Sequence, residues 1–376
     1  MRAASLGRLT ADPDRFAGEV WGRCPHLAER RGPFDDLFSL ADADRFVAGA
    51  LRPPAIRMVR GGSVIDAGAY CTTTRLGGQL VPQVVEPTKV ADLVADGATL
   101  VLQSLHRHWA PLTGFADALT VELGHPVQVN AYLTPPGAAG LAAHADEHDV
   151  FAVQLHGTKR WWLDKLGDRE MCPGDVLYVP AGWRHAARTD TAASLHLTIG
   201  VLRVTYRHVV ERLLREHAEA LDAPLPLGYR GGTDDSPVDR LTRGIREALD
   251  ATIARLQGID PRAVADAERG RAIRPYARTG HVASAVLGDA IDATTTIRWA
   301  TVQPAFEALP PGADGRAWTR VRLGDRSLRV PTAARAAIAG LATAGERRVG
   351  ELDGLDRASQ LVVARRLVGE HACVIV

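Results

Sequence analysis

Between residues 96 and 204, apolar and polar positions alternate or run apolar in short stretches: HPVQVNAYLTPPG, DVFAVQLHGTKRWWL, GDVLYVPAGWRH and ASLHLTIGVLRV. Gly, Pro and Asp close each stretch, which is the composition of short strands joined by tight turns. Several such strands at this spacing predict an antiparallel barrel or double-sheet jelly roll, the double-stranded β-helix. Residues 1–95 mix short helical and extended patterns and read as an N-terminal α/β extension of that barrel.

After residue 204 the period lengthens. YRHVVERLLREHAEAL carries Val209, Leu213 and Leu214 at helical spacing, and DRLTRGIREALDATIARLQGI carries Leu241, Ile245, Leu249, Ile253 and Leu256. Two amphipathic helices are expected over 205–275, with apolar stripes that close on the barrel, on each other or on a second subunit. Residues 276–376 change again. PTAARAAIAGLATAG and ASQLVVARRLVGE read as helices, VGELDGL as a turn with a short helix, and ACVIV as a terminal strand, an order that resembles a winged helix.

Charge narrows what that last region does. From 331 to 376 the six basic residues Arg335, Arg347, Arg348, Arg357, Arg365 and Arg366 face five acids, Glu346, Glu351, Asp353, Asp356 and Glu370. So small an excess is a weak footprint for duplex DNA, and a structural or protein-contacting role is expected instead. The whole chain agrees: 45 Lys and Arg against 44 acids give +1, so a coat for nucleic acid or an anionic membrane is excluded. Four distant cysteines, Cys24, Cys71, Cys172 and Cys373, form no C-x-x-C pair, which argues against a disulfide framework or zinc ribbon and fits a reducing cytoplasm. The first residues, MRAASLGRLTADPDRF, lack an apolar leader core, and no stretch is apolar enough to span a membrane.

The chemistry concentrates in HADEHDVFAVQLHGTKRWW, residues 144–162. In a strand, positions i and i+2 share a face, so His144 and Asp146 can point into one interior. A second imidazole would complete a 2-His-1-carboxylate facial triad, which leaves three positions of an octahedral Fe(II) open for a bidentate co-substrate and O2. GDVLYVPAGWRH supplies that imidazole as His185, 39 residues after Asp146, behind the turn Pro180-Ala181-Gly182. His196 in SLHLTIGV is the rival. It alternates with Leu195 and Leu197, so it too can face inward with Ser194 and Thr198, and it is read as lying behind the ligands or in the co-substrate pocket. His148 is read as solvated and His156 as an outer-face strand residue.

Lys159 ends the VFAVQL hairpin. An inward ammonium requires an anion, and the dicarboxylate 2-oxoglutarate provides one, its 2-oxo acid end on iron and its distal carboxylate on Lys159. The alternative is an ordinary solvated turn lysine. Asn130, Tyr132 and Thr134 share one parity in NAYLTPPG and offer polar groups to the same face.

Taken together, VQVNAYLTPPGAAGLAAHADEHDVFAVQLHGTKRWWL, PGDVLYVPAGWRHAA and SLHLTIGV resemble the ribosomal oxygenase branch of the JmjC-domain 2-oxoglutarate oxygenases, within the cupin superfamily. The upstream FAGEVWGRCPHL and DDLFSLADADRFV look like the entry to that branch's catalytic domain. The resemblance implies a cupin barrel, a helical dimerisation region and a winged-helix-like end. It makes His144, Asp146 and His185 the iron ligands and Lys159 the 2-oxoglutarate anchor, with Asn130, Tyr132 and Thr134 lining the co-substrate pocket. Members of the branch hydroxylate Arg or His side chains of ribosomal proteins, so a ribosomal or other protein substrate and a homodimer are expected. The same chemistry on a peptide or small metabolite, or a non-catalytic cupin interaction module, are the competing readings.

Overall fold

The structure, a computed structural model, describes the chain apart from residues 1–4, 50, 139–141, 218–221, 226–235, 272–279, 302–303, 313–314 and 324–325. Thirteen strands precede residue 204. They are β1 His26–Ala28, β2 Ile56–Arg60, β3 Ser63–Val64, β4 Cys71–Leu76, β5 Gln79–Val85, β6 Thr99–Leu102 and β7 Val127–Thr134, then β8 Asp149–His156, β9 Lys159–Leu163, β10 Gly167–Met171, β11 Val176–Val179, β12 His185–Arg188 and β13 Ser194–Val201. Eight form one antiparallel sheet in the order β1-β11-β8-β13-β7-β6-β2-β3, and β10-β9-β12 form a second, smaller sheet.

The period-two alternation divides the large sheet into two faces with different tasks. Val127, Val129 and Ala131 of β7 and Leu195, Leu197, Ile199 and Val201 of β13 enter one apolar core. That core is completed by Leu112, Phe115 and Leu119 of the helix Ala110–Leu123. This helix begins with Pro111 in its first turn and stops at Gly124, whose φ of 68° is the left-handed conformation that ends helices cheaply. The intervening residues of β7 and β13 point to the opposite face, where a cavity opens. A small cluster that includes Ala152, Trp161, Leu163, Met171 and Leu177 packs beside it.

The turn from β8 into β9 depends on Gly157. Its φ is +61°, and a Cβ there would lie 1.8 Å from the carbonyl oxygen of Ala193. Only glycine fits, and the close approach locks the start of β9, where Lys159 sits, against the entry to β13.

Val204–Arg271 forms a separate compact unit. Its helices are Tyr206–Glu216, Ser236–Gln257 and Pro261–Arg271, and Arg212 pairs with Glu268 to tie the first to the third. On the second, Ile245, Leu249 and Ile253 are each about half exposed. The boundary expected at 275 lies outside the described residues.

Beyond it are β14 Thr296–Trp299, β15 Ala305–Leu309, β16 Trp318–Leu323, β17 Arg326–Pro331, β18 Glu346–Arg348 and β19 Cys373–Ile375, with helices Ala334–Ala344 and Arg357–Gly369. They form the three-stranded sheets β18-β14-β19 and β15-β16-β17. Ile297, Val321, Ile338, Leu341 and Leu367 fill their common core. VGELDGL contains a single 3-10 turn, Val349–Glu351. Among the described residues no helix is long and apolar enough to cross a membrane.

Candidate metal centre

His144 and His185 are brought together by the backbone. They form an isolated antiparallel bridge in which each amide donates to the other's carbonyl, at 3.0 and 2.9 Å. The turn before His185 is pinned from below. Ala181 N–H donates to the buried Asp149 carboxylate at 2.8 Å, and Gly182 N–H donates to the carbonyl of Asp146 at 2.8 Å. These bonds explain the spacing of the Pro180-Ala181-Gly182 motif: it places His185 opposite His144 and holds Asp146 beside both.

The side chains converge accordingly. One carboxylate oxygen of Asp146 lies 3.6 Å from His144 Nε2 and the other 3.6 Å from His185 Nε2. One ligand atom from each of the three residues falls within 4.8 Å of the others. The opposite ring nitrogens are already engaged: His144 Nδ1 lies 2.8 Å from the Ala142 carbonyl and His185 Nδ1 3.0 Å from that of Trp183. A carbonyl only accepts, so each Nδ1 carries the proton and each Nε2 presents a lone pair. Burial also holds His185 below the usual imidazole range, which favours the neutral, ligating form. Two imidazoles and a carboxylate on one side of an open centre fit a divalent metal with free positions.

The triad opens into a cavity of about 440 Å³. Lys159, Asn130, Tyr132, Thr134, His196 and Thr198 line the same space. Lys159 is 2% exposed, and its Nζ donates to Thr134 Oγ1 at 2.7 Å. It has a hydroxyl as neighbour where a buried cation calls for an anion, and burial pulls its pKa down to about 7. The solvated-turn alternative is thereby excluded. Asn130 accepts from the Ser104 amide at 2.9 Å, and Tyr132 stacks on His196 with centroids 5.1 Å apart. His196 also meets the edge of Trp161, and its Nδ1 is buried without a hydrogen-bond partner. It lies behind the triad and is not part of it.

Two expectations need correction. Ser194 does not line the cavity; it is fully buried and accepts a hydrogen bond from Gln154 Nε2 at 2.9 Å. On β13 it keeps the face of His196 and Thr198, opposite Thr134 of β7, but the buried Gln154 beside the β8 irregularity engages its hydroxyl. His148 is half-buried and lines the cavity, with its ring over Gly200, where a Cβ would lie 2.7 Å from it. His156 is exposed, as expected.

The lining residues not anticipated include Arg57 from β2, Gln103 after β6 and Gln128 from β7. The parity that singled out Asn130 and Tyr132 also includes Gln128, so that signal was present. Arg57 stands between the buried Ile56 and Met58, an alternation that marks it as facing away from the core.

Comparison with known proteins adds the family. The model of the JmjC domain matches residues 108–171 and 162–209, a span that holds the triad and Lys159. That stretch of the chain is similar to the JmjC domain. Over 301 residues, 69% of its length, it is 28% identical to Ribosomal oxygenase 1 of Gallus gallus, of which it covers 49%. It is also 33% identical over 163 residues to the bifunctional lysine-specific demethylase and histidyl-hydroxylase NO66 of Drosophila willistoni, covering 33% of this chain and 21% of that one. The chain thus spans about half or less of the curated relatives it matches. The structure of YcfD, a ribosomal oxygenase from Escherichia coli solved with cobalt and 2-oxoglutarate, aligns over 98% of this chain and 99% of its own. Its TM-score is 0.56 at 17% identity, a likeness of fold.

Proposed function

We propose that this protein is an Fe(II)- and 2-oxoglutarate-dependent hydroxylase acting on an amino-acid side chain of a protein, with an Arg or His of a ribosomal protein as the target. The observation that carries the reading is Lys159, a buried ammonium without a carboxylate partner, in the same cavity as an open His-Asp-His triad. A metal site alone suits many reactions; a metal site with an anion anchor in one cavity suits a chelating dicarboxylate.

Fe(II) held by His144, Asp146 and His185 would supply the oxidation, coupling decarboxylation of 2-oxoglutarate by O2 to hydroxylation of an unactivated C–H bond. The chain's own residues position the reactants. Lys159, steadied by Thr134, takes the distal carboxylate and sets which way the co-substrate lies. The carbonyls of Ala142 and Trp183 hold the two imidazoles in the ligating tautomer. Val101, Val150 and Trp161 contribute apolar wall to the cavity and limit water at the reacting end.

The relatives' names, ribosomal oxygenase and histidyl-hydroxylase, support the choice of target and a cytoplasmic place of work beside ribosomes. The same reading takes the half-exposed stripe Ile245, Leu249 and Ile253 as the surface that meets a second copy, which sedimentation would report as a dimer. The deciding experiment is succinate release from 2-oxoglutarate with Fe(II) and O2, with and without a pool of ribosomal proteins, followed by mass spectrometry of that pool. Substrate-stimulated succinate with an added oxygen on one residue is the expected result. Metal binding without stimulation would move the target to a peptide or metabolite, and absence of metal binding would leave an interaction module.

Lys159 also makes the co-substrate's affinity depend on pH. Its ammonium titrates at about 7 in the free protein, and a bound carboxylate raises that value because it favours the charged form. Affinity for 2-oxoglutarate is therefore expected to be highest below pH 7 and to weaken as pH rises through it, by up to about tenfold per unit. Proton uptake on binding above pH 7, measured by calorimetry in buffers of different ionisation heat, checks the sign.

A further inference from the structure

Arg57 reaches the cavity from β2, two strands away from the tyrosine it touches. In the sheet register Arg57 stands opposite Val101 on β6, Val101 opposite Tyr132 on β7, and Tyr132 opposite His196 on β13. The four form one row across the face that lines the cavity. Neighbouring strands are about 4.8 Å apart, so only a long side chain on β2 can span Val101 and reach β7. Arg57 does so: it lines the cavity together with Tyr132, close enough that its guanidinium favours the ionised form of the Tyr132 hydroxyl.

Tyr132 is thereby held from three sides. Its ring lies on His196 with an interplanar angle of 13°, and the side chains of Arg57 and Thr198 stand near its hydroxyl. One row away on the same strand, Thr134 accepts from Lys159. The wall beside the anchor is therefore built from a residue whose position depends on Arg57. A second observation points to a ligand. Among the described residues Arg57 Nε is buried without a hydrogen-bond partner, and an unpaired buried donor keeps its desolvation cost until a ligand supplies an acceptor. Tyr132 takes only part of what the guanidinium offers.

We propose that Arg57 is a positioning residue for the co-substrate. Through Tyr132 it fixes the wall of the 2-oxoglutarate pocket next to Lys159, and it places a second positive charge beside the incoming dianion. The inference rests on the 2-oxoglutarate reading above and adds to it a residue from the N-terminal extension, outside the segment matched by the JmjC domain model. It also gives that extension a part in the site: β2 supplies a side chain on which the barrel's own tyrosine leans.

The test is equilibrium binding of 2-oxoglutarate to Mn(II)-loaded protein under argon, followed by calorimetry, so that no turnover is involved. Arg57→Met, Tyr132→Phe, the double variant and Arg57→Lys are compared with the wild type. Arg57→Met is expected to weaken binding about tenfold, the range for loss of a hydrogen bond to a charged group. The double variant is expected to bind no more weakly than the worse single one, because the two residues act as a unit. Arg57→Lys, which keeps the charge and a donor, is expected to recover most of the loss. Unchanged affinity in Arg57→Met, or single losses that multiply in full in the double variant, would overturn the proposal. If Arg57→Met does not fold, Arg57→Lys against Tyr132→Phe decides: losses that multiply in their combination count against coupling, and a shared loss counts for it. Wild-type protein that fails to bind 2-oxoglutarate at all would instead remove the co-substrate reading, and this inference with it.

Discussion

Replacing Lys159 with Met is expected to abolish 2-oxoglutarate binding while making the ligand-free protein more stable. The ammonium is fully buried against a threonine hydroxyl, so folding carries the cost of desolvating a charge without an ion pair to offset it. A methionine of similar length fills the space beside Trp161 and Thr134 without that cost, and Thr134 keeps Thr99, 3.3 Å away, as a partner. Stability of the free protein should rise by about 1–4 kcal/mol, the gain seen when buried ionic groups give way to apolar ones. Affinity for 2-oxoglutarate should fall by on the order of 10²–10³, because the co-substrate's distal carboxylate then enters a buried site without its cation. Thermal unfolding and calorimetric titration measure the two effects separately. A variant that loses binding and also loses stability would mean that Lys159 has a structural partner, and a variant that binds normally would remove it as the anchor.

The second large effect belongs to Asp146→Ala. Asp146 is the single carboxylate of the triad, and both of its oxygens face an imidazole nitrogen. Changes in the hydrogen bonds behind a metal ligand cost about 10–100-fold in affinity; loss of a ligand should exceed that, so metal affinity and turnover are expected to fall more than about 100-fold. The fold should remain, since the carboxylate is partly exposed and the backbone bridge between His144 and His185 does not use its side chain. Mn(II) titration followed by electron paramagnetic resonance reads the metal, succinate release reads turnover, and circular dichroism reads the fold. Wild-type succinate production by this variant would refute the triad.

The convergence of the candidate metal ligands was legible because it rests on local rules. His144 and Asp146 share a face through the two-residue period, and Pro180, Ala181 and Gly182 announce the turn that returns the chain to them. Asn130, Tyr132 and Thr134 followed from the same parity. What parity does not contain is register between distant strands. Arg57 acts at the cavity because β2 pairs with β6 and β6 with β7, a set of long-range pairings for which IRMVR carries no local mark beyond its alternation. Ser194 failed for the converse reason. It has the parity of His196 and stands opposite Thr134, but its hydroxyl is taken by the buried Gln154 of β8, a contact that parity does not contain. His148 illustrates a third limit: its ring lies against Gly200, and a glycine inside a strand signals a close approach without naming the neighbour.

The reciprocal backbone pair between His144 and His185 has a kinetic meaning for the metal. Two imidazoles on independent loops could part by rotation of a side chain, and the ion would leave on the timescale of rotamers. Here the same two residues are joined by a pair of amide hydrogen bonds before any ion arrives. Separating the two residues by movement of the backbone requires those amides to open, so loss of the ion by that route is coupled to local unfolding at the edge of the small sheet. The isotope-exchange rates of two backbone amides then become a clock for how long the centre keeps its metal.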